Sequence, residues 1–209
     1  MTYYTIDPNK TGVLFFDMLK EGFGTHDEEY LEKKASIVAN AVRIREAADA
    51  HGIPVFFAKA DHRQDGKDAA ILYFDHNRDR QPWDDPENGR LVPYRANLAG
   101  LPGAEVIDEL KMSDDDYMIP KHRKSAFFQT KLELSLRARG IDTLVLCGSA
   151  IASGIAATVY SAQDRDIHAI VVRDACNPKA GPVHDVFMEI VFPRIGRVRT
   201  TDQVLEMMG

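Results

Sequence analysis

Short apolar runs alternate with longer segments of helical periodicity along most of the chain. The first run, GVLFFDM, has consecutive apolar residues at 13–16 and predicts a strand that is buried on both faces. The next segment, 31–51, carries apolar residues near the helical spacing, and IPVFFAK then predicts a second strand. Such an alternation is typical of a parallel sheet covered by helices.

The same alternation resumes after residue 103. Helices are predicted over AEVIDELK, KLELSLRARG, the segment through Ile155, Val159 and Ala162, and PVHDVFMEIVF. Strands are predicted over DYMIPK, DTLVLCG, HAIVVRDA and GRVRTT. Six strands and about five helices in 209 residues predict one Rossmann-like domain, 1–209, with a mostly parallel sheet in a three-layer α/β/α arrangement.

Residues 61–100 interrupt the alternation. They are polar, rich in Arg, Asp, Pro and Gly, and include the only tryptophan, Trp83. Connections in compact domains usually have about 4–6 residues, so one of this length is either functional or disordered. The apolar run ILYF, together with Trp83 and Tyr94, favours an ordered flap that helps to shape a binding site.

The composition of the chain argues against two classes of binding partner, nucleic acids and membranes. The formal net charge of −6 argues against nucleic acid, because phosphate binding requires a basic surface. A membrane partner is not expected either, since no apolar stretch has the length of about 20 residues that crosses a bilayer. The N-terminus shows no signal peptide, and the only cysteines, Cys147 and Cys176, do not suggest a disulfide framework. We therefore expect a cytoplasmic protein.

Candidate catalytic side chains directly follow the predicted strands, because an open parallel sheet binds ligands beyond the carboxyl ends of its strands. The residues in these positions are Asp17, Asp61, His62, 121–123, 148–154 and 174–177. Taken singly, Asp17 has the ordinary interpretation of a turn or cap residue and Lys121 that of a surface lysine. Together, at the ends of adjacent strands, they would form a buried ion pair beside the pocket, and such pairs are candidates for functional sites.

Several motifs resemble those of the isochorismatase-like (cysteine hydrolase) superfamily. They are FFDML, which contains Asp17, KHRKSAF, which begins at Lys121, LVLCG, which ends at Gly148, and the later RDAC and VFPRIGRVRTTDQV. In this order they span nearly the whole chain apart from the excursion at 61–100. The resemblance implies a hydrolase of this fold that acts on a small-molecule substrate and assembles as a homo-oligomer, a dimer or a tetramer.

Position 154 departs from the amide-hydrolysing members, which carry a nucleophilic cysteine there. The cysteine of those members stands six residues after the glycine that ends LVLCG, and in this chain that position is Gly154. Ile151 replaces the threonine-like residue that often stands three places before the cysteine. The family also implies a cis peptide bond, which we assign to Ala150–Ile151. Because glycine has no nucleophilic atom, the covalent thioester route is closed at this position.

Three functions fit these residues. The first is non-covalent, acid-assisted hydrolysis of a vinyl ether, as in the isochorismatases of phenazine and siderophore pathways, which this chain resembles in having glycine at position 154. The second is a C–N hydrolase of a small amide or ureido compound, with Asp17 activating water or with Cys176 recruited. The third is a catalytically inactive binding protein that keeps the pocket.

In the first function Asp17 donates the proton, Lys121 is its partner, and Gly154 lets substrate or water approach the backbone closely. A neighbouring lysine favours the charged carboxylate of Asp17, whereas burial beside Phe15 and Phe16 favours the neutral acid. Whether Asp17 acts as acid or base is therefore left open.

The predicted substrate-binding residues are Ala150, Ile151, Phe23, Trp83 and Arg90. The flap offers further cations and aromatics, which are Arg63, Lys67, Arg78, Arg80, Tyr94 and Arg95. An arginine fork suits a carboxylate, so we expect a small, anionic substrate. Asp61–His62 resembles part of the site of metal-binding relatives, but no second and third ligand follow at suitable spacing. Neither a metal nor a cofactor is predicted.

Overall fold

The computed structural model describes residues 4–22, 28–68, 97–177 and 181–209. Its strands are β1 Thr11–Phe16, β2 Val55–Ala60, β3 Tyr117–Lys121, β4 Thr143–Gly148, β5 His168–Cys176 and β6 Arg197–Arg199. They form one six-stranded sheet in the order β3-β2-β1-β4-β5-β6, and all neighbours are parallel. The predicted six-stranded parallel sheet is therefore confirmed.

Helices cover both faces of the sheet. They are α1 Glu28–Ala50, α2 Leu132–Ala138, α3 Ala156–Gln163, α4 Pro182–Asp185 and α5 Thr201–Met208. Five-residue and six-residue π-helical segments, Ile151–Ile155 and Val186–Val191, lead into α3 and follow α4. Within the described ranges, none of the helices combines the length and apolar character needed to cross a bilayer.

The hydrophobic core has two layers, because successive side chains of a strand point to opposite faces of the sheet. Val13 and Phe15 of β1 pack in the layer that contains residues of α1 and α5. Leu14 and Phe16 pack in the layer that contains residues of α2 and α3. Phe16 therefore lies on the α3 side of the sheet, directly before Asp17.

The structure differs from the prediction in two helices, one predicted over AEVIDELK and one at the end of the chain. The segment AEVIDELK is not a helix: it contains only the end of the 3-10 turn Pro102–Ala104 and the turn Asp108–Leu110. Its backbone instead runs beside the chain that leaves β1, where the N–H of Ile107 donates to the carbonyl of Met18 at 3.0 Å. These tertiary hydrogen bonds replace those that a helix would form.

Helix α5 was not predicted, although a local signal marks its beginning. The Thr200 side chain accepts from the backbone N–H of Gln203, and the Gln203 side chain accepts from the N–H of Thr200, which is a capping box. Asp174 at the end of β5 adds support, because its carboxylate accepts from both the N–H and the hydroxyl of Thr201. Asp174 thus anchors α5 to the sheet.

Candidate active site

The strand order reverses beside β1, and this reversal defines the position of the candidate site. From β1 the chain adds β2 and then β3 on one side, and β4 returns to the other side of β1. In open α/β sheets, ligands bind beyond the carboxyl ends of the strands at such a switch point. Asp17 directly follows β1 and residues 149–154 directly follow β4, so both segments border this point.

Asp17 and Lys121 form the expected ion pair. The Nζ of Lys121 donates to Oδ2 of Asp17 at 2.7 Å, and the backbone N–H of Ala60 donates to Oδ1 at 2.8 Å. The side chains are 19% exposed for Asp17 and 6% exposed for Lys121. The expectation that their strands are adjacent is wrong, because β2 lies between β1 and β3. The pair spans the end of β2, where Ala60 is in register with Lys121.

The backbone at Asp17 turns sharply while it stays bonded to the sheet. Its φ of 47° lies in the left-handed region, which Asp tolerates better than most residues. Its N–H still donates to the carbonyl of Ala58 at 2.8 Å. This conformation occurs at the residue whose carboxylate meets Lys121, and strained positions of this kind cluster at functional sites.

Phe16 fills the space beside Gly154. A Cβ added to Gly154 would lie 2.3 Å from Cε1 and 2.5 Å from Cζ of the Phe16 ring. On another side of the same ring, Nζ of Lys121 lies 4.4 Å from the centroid, a cation–π distance. The aromatic ring thus occupies the space in the direction of the missing Cβ, and the close approach of substrate or water to the Gly154 backbone stays a prediction.

The turn after β4 packs tightly against β1. Gly148 has a φ of 124°, and a Cβ there would lie 2.0 Å from the carbonyl oxygen of Phe16, so this position requires glycine. The cis peptide bond that follows joins Ser149 to Ala150. The assignment to Ala150–Ile151 is wrong by one residue.

The two predicted substrate-binding residues in this turn lie in different environments. Ala150 is exposed, and its carbonyl accepts from the N–H groups of Ser153 and Ile155, both at 3.2 Å. Ile151 is 1% exposed and packs in the core layer that contains α3. Of these two, only Ala150 is exposed, and the substrate-binding role of both stays a prediction.

Both cysteines lie inside the sheet. Cys176 is 1% exposed and Cys147 is fully buried. Burial raises the pKa of Cys176 to about 12, and it raises the pKa of Cys147 well above its ordinary value. Because the thiolate is the reactive form of cysteine, neither side chain has the character of a nucleophile.

A second cluster of titratable side chains lies next to Lys121. Oδ2 of Asp68 lies 3.5 Å from Nδ1 of His62 and 4.0 Å from Nε2 of His122. Burial lowers the pKa of His62, the carboxylate of Asp68 opposes this shift, and the charge of Lys121 adds to it. Among residues 4–22, 28–68, 97–177 and 181–209, no group of three His, Cys, Asp or Glu side chains could hold a metal ion.

The sequence indicates only part of this cluster. His62 directly follows a predicted strand, and His122 lies in the segment 121–123 that follows another. Asp68 lies within the excursion, and no local pattern distinguishes it from the other aspartates there. Its proximity to two histidines follows from tertiary structure alone.

The structure tests few of the flap predictions. Phe23, Trp83 and Arg90 lie outside the described residues, as do Arg78, Arg80, Tyr94 and Arg95. Arg63 and Lys67 are described, and both pair with Asp65, at 2.6 Å and 3.7 Å. Their side chains are 61% and 79% exposed, which fits surface cations that balance a nearby aspartate.

The sequence is similar to those of known proteins over nearly its whole length. The family profile described as the isochorismatase domain matches residues 11–203. The uncharacterized isochorismatase family protein YwoC of Bacillus subtilis is 32% identical over 209 residues, which cover 100% of this chain and 99% of that protein. The phenazine biosynthesis protein PhzD1 of Pseudomonas aeruginosa is 28% identical over 203 residues, 97% of this chain and 88% of that protein.

A solved structure shows the same architecture. The N-carbamoylsarcosine amidase from Thermoplasma acidophilum aligns with a TM-score of 0.70 and 28% sequence identity. The alignment covers 92% of this chain and 97% of the other. The sheet and its covering helices are thus features of a known fold.

Proposed function

The chain belongs to the isochorismatase family of hydrolases, and we propose that it hydrolyses a small, anionic vinyl ether without a covalent intermediate. The observation that carries this proposal is the partly buried ion pair of Asp17 and Lys121 at the switch point. Position 154, close to this pair through Phe16, is a glycine and offers no nucleophile. The likeness to the phenazine biosynthesis protein PhzD1 agrees with the resemblance to the isochorismatases of phenazine pathways.

Asp17 is the proton donor in this reaction. Its carboxyl group protonates the terminal carbon of the vinyl ether, and the positive charge that results is shared by the ether oxygen and the adjacent carbon. Water adds to that carbon and returns a proton to the Asp17 carboxylate. The hemiketal then breaks down to pyruvate and an alcohol, so that one water molecule is consumed and the enzyme regains its original state.

Lys121 also offers a cation to an anionic substrate. In the free site, both oxygens of Asp17 accept hydrogen bonds, one from Lys121 and one from Ala60. A substrate carboxylate near Lys121 competes with Asp17 for the ammonium group. The competition releases an oxygen of Asp17, which can then face the vinyl carbon that it protonates.

The test is the release of pyruvate from isochorismate. We expect one pyruvate for each isochorismate consumed, with a linear time course, because no covalent enzyme intermediate accumulates to give a burst. Pyruvate is measured with a coupled dehydrogenase assay. The control is an analogue whose vinyl double bond has been reduced, which has no carbon to accept the proton and should be inert. No turnover of isochorismate, or a pyruvate burst, would contradict the proposal.

A second candidate is hydrolysis of a C–N bond, favoured by the likeness to the N-carbamoylsarcosine amidase. In this chain the attacking group would be water activated by Asp17, because both thiols are buried and have a raised pKa. Ammonia released from a small amide or ureido compound, together with an absence of pyruvate release from isochorismate, would establish this candidate over the first.

Alkylation separates a thiol mechanism from a water mechanism. We expect iodoacetamide to leave Cys147 and Cys176 unmodified in the folded protein and to leave the activity unchanged, because burial keeps both thiols protonated and out of reach. Intact-protein mass measures the modification, and the same treatment in guanidinium should label both cysteines. A loss of activity on alkylation that disappears in Cys176→Ser would instead assign the reaction to that thiol.

A further inference from the structure

The ring of Phe16 occupies the space in the core that a side chain at position 154 would need. The distances of 2.3 Å and 2.5 Å from a Cβ at position 154 to the Phe16 ring fall below 3.0 Å, a limit that real Cβ atoms essentially never cross. The ring is 1% exposed, so it has no solvent into which it could turn. On the opposite side, the carbonyl of Gly154 accepts from the Thr158 hydroxyl at 2.7 Å, and that hydroxyl accepts from the N–H of Ala126 at 3.0 Å. Both sides of the contact are therefore held in place.

Gly12 is crowded in a similar way, since a Cβ there would lie 2.9 Å from the buried Phe56 ring, whereas Gly103 and Gly22 differ from Gly154. A Cβ at Gly103 would come within 3.0 Å of the Glu21 side chain, which is exposed and can move aside. A Cβ at Gly22 would lie no closer than 3.7 Å to its neighbours, an ordinary contact. At Gly154 the neighbour is a rigid ring inside the core, so a side chain there cannot be accommodated by a small adjustment.

We infer that Phe16 is the specificity-determining residue that excludes a side chain from position 154, and that it thereby restricts the site to attack by water. The inference deepens the proposed function and rests on it for the identity of the reaction. The exclusion itself is a property of packing, so it can be tested without any substrate. Phe16 and a side chain at position 154 therefore exclude each other. A nucleophilic side chain at position 154 would require a smaller residue at position 16.

The effect of Gly154→Ala on stability tests whether Phe16 excludes a side chain from position 154. The substitution should destabilise the protein when Phe16 is present and stabilise it when Phe16 is replaced by a smaller residue. Position 154 lies in a π-helical segment that continues into α3, and alanine ordinarily stabilises a helix relative to glycine. With Phe16 present, we expect Gly154→Ala to lower the urea midpoint. In the background of Phe16→Val, which lacks the ring atoms that clash and suits a strand, the same change should raise the midpoint. The four proteins form a double-mutant cycle.

Gly22→Ala is the matched control, because its Cβ has room and its effect should be the same in both backgrounds. If Phe16→Val does not fold, Phe16→Leu provides the second background, in which the penalty of Gly154→Ala should be smaller than in the wild type. A midpoint change of the same sign and size in both backgrounds would overturn the inference, whether the change is an increase or a decrease.

A thiol at position 154 tests the same exclusion chemically. In Phe16→Val with Gly154→Cys, we expect the new thiol to react with iodoacetamide about tenfold faster or more than in Gly154→Cys alone, since only the small residue leaves it a defined, accessible place. The buried Cys147 and Cys176 serve as internal references in the same spectrum. Equal rates in the two variants would overturn the inference. Because neither measurement uses isochorismate, failure of the proposed reaction would leave these results unaffected.

Discussion

Asp17→Asn should reduce the turnover of isochorismate by about 10²–10⁴-fold, the range that a positioned general acid or base contributes. Asparagine has the size of aspartate, and its carbonyl oxygen can still accept from the N–H of Ala60, as Oδ1 of Asp17 does. It cannot deliver a proton to carbon, nor does it balance the charge of Lys121. The measurement is kcat from pyruvate release, with the fold checked by thermal unfolding.

Asp142→Asn is the control for this substitution. Asp142 is a half-buried aspartate directly before β4, at the amino ends of the strands and so at the opposite edge of the sheet. Its carboxylate accepts from the hydroxyl of Thr143 at 2.9 Å, so the variant alters an equivalent local hydrogen bond and should keep full activity. An Asp17→Asn variant as active as Asp142→Asn would remove Asp17 from the reaction and refute the mechanism.

Removal of the Asp116 carboxylate should cause a large loss of stability, about 3–5 kcal/mol for Asp116→Ala. Arg45 of α1 donates through one terminal nitrogen to Asp116 at 2.8 Å, and the two side chains are 8% and 6% exposed. The other oxygen of Asp116 accepts from the N–H of Ser113 at 2.7 Å. Without the carboxylate, the buried guanidinium of Arg45 loses its buried partner and keeps only the exposed Asp49, and α1 loses this link to the segment before β3. Urea unfolding measures the difference.

Asp49→Ala is the matched comparison, because it removes the second partner of the same arginine. Asp49 accepts from Nε of Arg45 at 3.0 Å but is 55% exposed, and exposed pairs contribute less than about 1 kcal/mol. Adding Arg45→Met to Asp116→Ala should recover part of the lost stability, since the buried charge is then absent. A cost for Asp116→Ala no greater than that for Asp49→Ala would contradict the expectation.

The strands and their polar ends could be predicted because their signals are local. A strand buried on both faces is a continuous apolar run, and a charged residue at its end is conspicuous. Asp17 after GVLFF and Lys121 after YMIP were found in this way, and the structure brings them to 2.7 Å. Strand order is not a local property, so β2 was not placed between β1 and β3.

Tertiary contacts account for the rest. AEVIDELK has a helical pattern, but the backbone contact of Ile107 with Met18 determines its conformation. The contact between Phe16 and Gly154 joins residues from distant parts of the chain, and no spacing rule connects them. The homo-oligomer, the cytoplasmic location and the roles of Phe23, Trp83 and Arg90 stay predictions.

The ion pair of the candidate site also has a consequence for the evolution of this protein. Lys121 is the last residue of β3, which among the described strands stands at the edge of the sheet and pairs with β2. Its bond to Asp17 reaches past β2 and ties this edge to the strand at the centre of the switch point. The proposed reaction needs the same bond to loosen when substrate arrives. In the proposed mechanism, stability of the edge and turnover thus depend on one interaction in opposite directions, and a change that strengthens the ion pair is expected to slow the reaction.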